Sequence, residues 1–275
     1  MKIVSLLLSL FLFATNGSAA EAPVEIKAVV YENLVAKLYL PVAAGKVPVV
    51  IAFGGSDGAL NGGNGNADML APHGIAVLSL AFFKADGLPA TLDQIPLEYF
   101  ISAIDYLVTL PTVDAAKIGV VSGSRGSEAA LLLASIDPRI KSVVVTTPSS
   151  VAWYGMTVEK SAWTYKGREI PALAMGLNAA AAKLSRFEAA LANPEHVERA
   201  RFGIEKINGP VFFVSATKDQ VWPSFKMATD MTVYLKERHF PHSVTHSTFP
   251  TGHGFSKETA PEIKRAIVAH FLRTL

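Results

Sequence analysis

The chain has 275 residues, half of them apolar, with a formal net charge of +2 and no cysteine. That length accommodates one large α/β domain or two small ones and is enough to bury a sizeable core. The balanced charge gives no reason to expect a nucleic acid partner, and the lack of cysteine excludes disulfides, a thiolate nucleophile and a cysteine metal site.

The first twenty residues carry Lys2, then an apolar run from Ile3 to Phe13, then the small residues Ser18, Ala19 and Ala20 before Glu21. This is the layout of a secretory signal peptide cleaved after Ala20. The run is shorter than the roughly 18 residues of a membrane span. The expectation is a periplasmic or secreted protein with no span after signal removal, its residues 21–275 forming a single domain.

Val24 to Val30 and Leu34 to Leu40 read as two strands around a polar turn. Val47 to Phe53 is a continuous apolar run, as in a strand buried on both faces. It leads into a loop holding Gly54, Gly55, Ser56, Gly58, Gly62, Gly63 and Gly65. The glycines match no phosphate-binding fingerprint, so no nucleotide cofactor is expected. Ala67 to Pro72 reads as a short helix and Ile75 to Phe82 as another buried strand. Thr91 to Leu110 has apolar residues at helical spacing.

Ile118 to Val121 is a strand that runs into Ser122-Gly123-Ser124-Arg125-Gly126, followed by the helical Ser127 to Ser135. A strand, a tight turn with serine at its apex and a helix are the context of a nucleophile elbow, G-x-S-x-G, with Ser122 in the place of the first glycine. Glu128, one turn further on, fits an exposed helix face as well as a place near the site. Ile140 to Thr146 is a further strand. The alternation indicates a mostly parallel sheet with helices on both faces. It breaks between Thr147 and Ile207, where no β-run is visible and Leu173 to Leu191 and Pro194 to Lys206 read as helical. This stretch, about 150–207, is expected to be a helical cap over the carboxyl edge of the sheet. Strand and helix then resume at Pro210 to Val214, Pro223 to Glu237, Ser243 to Phe249 and Lys257 to Leu272.

A serine needs a base to take its proton and a third group to orient that base. In the α/β-hydrolase fold these follow later strands, in the chain order serine, acid, histidine. Here Asp219 lies just past one late strand and His253, between Gly252 and Gly254, just past the next. The flanking glycines would permit an unusual backbone path. Of the seven histidines, His239, His242 and His246 lie before or within the last strand, and His73, His196 and His270 lie in helices or turns away from strand ends. The candidate catalytic set is therefore Ser124, Asp219 and His253, with an oxyanion hole from the N–H of Arg125 and one from Gly55 or Ser56. No His/Asp cluster has metal-ligand spacing.

The segment Leu88-Pro89-Ala90-Thr91-Leu92-Asp93-Gln94-Ile95-Pro96-Leu97-Glu98-Tyr99-Phe100, the elbow, and Ser161-Ala162-Trp163-Thr164-Tyr165-Lys166-Gly167 resemble the acyl-CoA thioesterase / bile acid-CoA:amino acid N-acyltransferase family in its C-terminal α/β-hydrolase domain, over about residues 45 to 272. The resemblance implies a nucleophile at Ser124, an acid at Asp219 and a base at His253. Members with serine as nucleophile are typically thioesterases; those with cysteine transfer the acyl group to an amino acid. The reading is an exported serine hydrolase of a small-molecule carboxylic ester or thioester, with an apolar acyl pocket beneath the cap and no cofactor. An acyltransferase and a non-catalytic lipid or small-ligand carrier are the alternatives.

Overall fold

The computed structural model describes residues 21–176 and 178–275; the expected signal peptide lies outside the described residues. Eight strands form one sheet: β1 (Val24–Ala28), β2 (Val35–Pro41), β3 (Val47–Ala52), β4 (Ala76–Ala81), β6 (Val113–Gly123), β7 (Ile140–Thr146), β10 (Val211–Ala216) and β11 (Val244–Phe249). Their spatial order is β1-β2-β4-β3-β6-β7-β10-β11. Only β2 runs against the others.

The two faces of the sheet are sorted by the period-2 alternation of strand side chains. In β3, Val49 and Ile51 point into one apolar layer and Val50 and Ala52 into the other. Helices α2 (Leu97–Thr109), α3 (Arg125–Ile136) and α6 (Ser224–Glu237) cover the first layer through residues such as Phe100, Leu131 and Leu235. Helices α1 (Asn61–Leu70) and α7 (Ala260–Thr274) cover the second through Leu70, Ile267 and Phe271. Because both faces are buried, β3 reads as an unbroken apolar run and β4 as one interrupted only by Ser79.

Four expectations need correction. Gly62, Gly63 and Gly65 are not loop but the first turns of α1, which begins at Asn61. A Cβ on Gly62 would strike the Gly54 backbone and one on Gly63 the Ser79 hydroxyl, so glycine is present for close approach of helix to sheet, against its low helix propensity. Second, the helix expected from Thr91 begins only at Leu97; Ile95–Pro96 is a short strand, β5. Third, the stretch 147–207 is not purely helical. It carries β8 (Trp163–Tyr165) and β9 (Arg168–Glu169), which complete a second, three-stranded sheet with β5. Fourth, only Lys183–Leu191 (α4) and Pro194–Ala200 (α5) are α-helical there; Leu173 instead bridges to Trp153 as extended chain.

This insert is seated by aromatic packing at two places. Trp163 joins Phe53, Phe82 and Phe100, with ring centroids 5.7 Å from Phe82 and 6.2 Å from Phe100. Separately, Trp153, Phe187 and Trp222 form an edge-to-face row, 4.6 and 5.5 Å apart, that ties the insert to the start of α6. Among the described residues, no helix is long and apolar enough to cross a membrane.

Candidate active site

Ser124 alone joins the end of β6 to the start of α3. It does so at φ 53° and ψ −131°, a conformation that costs an L-residue about 1–3 kcal/mol and persists only when its surroundings enforce it. Here they do. The Ser124 N–H is held by the Thr146 carbonyl at 3.0 Å. A Cβ on Gly126 would collide with the Ser122 hydroxyl and the Gly54 carbonyl. Ser122, where the motif has its first glycine, is buried and donates to the Phe53 carbonyl at 2.9 Å. Its hydroxyl therefore fills and satisfies the space that a glycine would leave.

Strand pairing brings the other two residues to the same rim. β10 and β11 are parallel and in register to their last pair, Ala216 and Phe249. The loops beyond them are then stitched together: Thr217 N donates to Phe249 O at 2.9 Å and Lys218 N to Thr251 O at 3.0 Å. From these loops Asp219 and His253 turn toward the elbow. His253 Nε2 lies 2.8 Å from Ser124 Oγ, and His253 Nδ1 lies 2.9 and 3.0 Å from the two Asp219 oxygens. The Nδ1–H tautomer satisfies both contacts, donating to Asp219 and accepting from the Ser124 hydroxyl. The glycines beside His253 do not adopt positive φ; the left-handed residue of this loop is Phe255, at φ 57°.

Asp219 is itself fixed. Its Oδ1 accepts from Val221 N at 2.9 Å and Oδ2 from the Ser224 hydroxyl at 2.6 Å. Burial pushes its carboxyl up, but the His253 ring N–H, the Ser224 hydroxyl, the charge of His253 and the Val221 N–H outweigh burial and hold it below the usual carboxylate range. The indole of Trp222 closes the outer side of the imidazole, edge-on at 5.7 Å.

The candidate oxyanion donors separate. Arg125 N opens α3 directly after Ser124, where a first-turn N–H has no partner within its own helix. Gly55 packs against the elbow, but its N–H donates to Asp57 Oδ1 at 2.9 Å. That bond takes Gly55 out of the pair offered by the sequence and leaves Ser56.

Glu128 takes the second of the two places its position allows, near the site. It is not on an exposed helix face but wholly buried. One oxygen accepts from the Trp153 N–H and the Trp163 indole, each at 2.9 Å, and the other pairs with Arg125 Nε at 2.5 Å. Arg125 in turn donates to the carbonyls of Tyr154 and Trp153 at 3.0 and 3.2 Å. Burial pushes the Glu128 carboxyl up, opposed by the Arg125 charge and by the N–H donors. No sequence signal marks this role, because its partners arrive from an insert with no clear periodicity.

Two cavities meet at Ser124. One, of about 410 Å³, is glycine-rich and is lined by Ser56, Asp57, Asn66, Thr147, His253 and Phe255, among others. The other, of about 240 Å³, is largely apolar, with walls from Met156, Val158, Met175, Phe187, Val221 and Trp222.

The architecture is the α/β-hydrolase fold. Solved structures share it at low identity: a hypothetical protein of Pseudomonas aeruginosa (TM-score 0.63, 19% identity, 98% of this chain and all of that one) and an esterase of Pyrobaculum calidifontis (TM-score 0.61, 16% identity, 92% of this chain and 86% of that one). Residues 95–272 match the family model described as BAAT / Acyl-CoA thioester hydrolase C terminal, and the chain belongs to that family. Human acyl-coenzyme A thioesterase 6 is 33% identical over 195 residues, covering 69% of this chain and 44% of that protein. Mouse acyl-coenzyme A thioesterase 5 is 36% identical over 143 residues, covering 52% of this chain and 32% of that protein. The chain thus spans less than half the length of these relatives.

Proposed function

We propose that the chain is a serine acyl hydrolase that cleaves a carboxylic ester or thioester through an acyl-enzyme on Ser124. The observation that carries the reading is the unbroken contact from Ser124 Oγ through the His253 ring to Asp219. His253 Nε2 takes the hydroxyl proton as Oγ bonds to the acyl carbon and the carbonyl electron pair moves onto oxygen. Asp219 stabilises the imidazolium that forms. The N–H groups of Arg125 and Ser56 receive the oxyanion, each donor being worth about 2.7–4 kcal/mol in the transition state. The intermediate collapses by breaking the C–O or C–S bond, and the imidazolium gives its proton to the departing alcohol or thiol. A water, activated by the same imidazole, then releases the acid. Since the leaving group must lie beside His253, it occupies the cavity that His253 lines, and the acyl chain enters the other, walled by Met156, Val158 and Phe187.

Family membership and the thioesterase names of the relatives support this reading. The signal-like residues 1–20 support a second part of it, that the enzyme acts outside the cytoplasm. Labelling with a fluorophosphonate probe tests the first part. The wild type should form one adduct, on Ser124, and Ser124→Ala should form none and lose ester hydrolysis. A folded wild-type protein that hydrolyses no ester or thioester and takes no label would sink it.

A further inference from the structure

The Leu-Asp segment of the motif around Leu92 and Asp93 takes no part in the chemistry above, yet it grips one wall of the apolar cavity. That wall is the turn from Gly155 to Val158. At its tip, Met156 N donates to Leu92 O at 3.1 Å, and Thr157 donates to Asp93 Oδ1 from its N–H at 3.1 Å and its hydroxyl at 2.7 Å. Gly155 lies so close that a Cβ there would collide with Leu92 O and Asp93 Oδ1. At its base, the buried Glu128–Arg125 pair holds the backbone of Trp153 and Tyr154. A turn fixed at both ends by buried or shared carboxylates nevertheless presents Met156 and Val158 with 43% and 52% of their surfaces in water. Both line the cavity that opens at Ser124. Apolar side chains held rigidly in water beside a reaction centre leave apolar surface for a ligand to cover.

We propose that this turn measures the acyl chain: Met156 and Val158 are the specificity-determining contacts, and Asp93 is the residue that positions them. The inference rests on the acyl-hydrolase reading and deepens it. The cavity, at about 240 Å³, lies below the roughly 300–1,000 Å³ usual for small-molecule sites, so the chains it measures are short to medium ones. Each methylene that enters should raise kcat/KM about fourfold, the ratio that corresponds to about 0.8 kcal/mol, until the cavity is full.

The test is kcat/KM for 4-nitrophenyl esters from acetate to dodecanoate in the wild type, the double variant Met156→Ala/Val158→Ala, Met156→Trp and Asp93→Ala, each checked for folding by thermal unfolding. The octanoate-to-acetate ratio should fall at least tenfold in the double variant and in Asp93→Ala. Met156→Trp should move the preferred length to shorter chains. The same ladder is read without turnover by calorimetric titration of octanoate and butyrate into Ser124→Ala carrying each change, so a chain that hydrolyses nothing still tests the turn. Ratios within twofold of wild type in folded double and tryptophan variants, in either measurement, would overturn the proposal.

Discussion

Two carboxylates flank the same serine and do opposite work. Asp219 faces a ring that must carry charge, and its contacts with the His253 ring, the Ser224 hydroxyl and the Val221 N–H hold its carboxyl low. Glu128 faces a permanent cation and sees no solvent, and burial pushes its carboxyl up. In the proposed mechanism the first serves a proton that moves; the second holds backbone in place. The comparison shows that burial alone does not mark a catalytic acid; what a carboxylate touches decides its task.

The largest expected effect comes from breaking the first of the two. Asp219→Asn keeps the shape but favours the wrong tautomer of His253, and kcat should drop by about 10⁴ with a circular dichroism spectrum like the wild type. Glu128→Ala should invert the pattern. Leaving Arg125 buried without its partner should cost about 3–5 kcal/mol of folding free energy, read by urea unfolding, with the chemistry of short esters less affected than stability.

A third buried titratable group, away from both, ties stability to pH on the acid side. His270 is buried on α7 beside Ser142, and burial, aided by the charge of Arg273, lowers its pKa to about 4. The unfolded chain, with an ordinary value near 6.5, binds the proton first as pH falls. The contribution of His270 to folding stability is therefore full above about pH 6.5 and falls by about 3 kcal/mol as the pH drops to about 4. Asp219, with its depressed value, removes more below that. His270→Leu should flatten the pH 4–6.5 part of the profile in chemical denaturation. The smallest effect belongs to the elbow: Ser122→Gly should lose about 1 kcal/mol, the worth of one buried hydrogen bond, and remain active in the 4-nitrophenyl acetate assay.

What the sequence shows and what it hides divide along the length of the interactions. Ser124 and Asp219 are legible because each sits just past a strand with a plain apolar run, and His253 because it follows a β-branched strand, Val244–Phe249; parallel pairing places all three positions at one rim. The seven-residue run Ile140 to Thr146 is legible for the same reason. By contrast, β8 and β9 are too short to show a period, and the alanine-rich stretch reads as helix although the helix begins only at Lys183. Gly62 and Gly63 of α1 read as loop because the close approach that requires them, to Gly54 and Ser79, is visible only in three dimensions. Gly55 and Ser56 look equivalent as donors until the Asp57 side chain claims one of them.

The order of the strands also has a consequence for biosynthesis. The elbow lies before the midpoint of the chain, whereas the histidine follows the last strand of the sheet, and the loop holding it is stitched to the one holding Asp219. A ribosome-bound intermediate that stops short of β11 has Ser124 but lacks His253, the base proposed for it. On the proposed mechanism, the nascent polypeptide would stay inert toward esters until its final strand is docked, and reactivity would wait for completion of the fold.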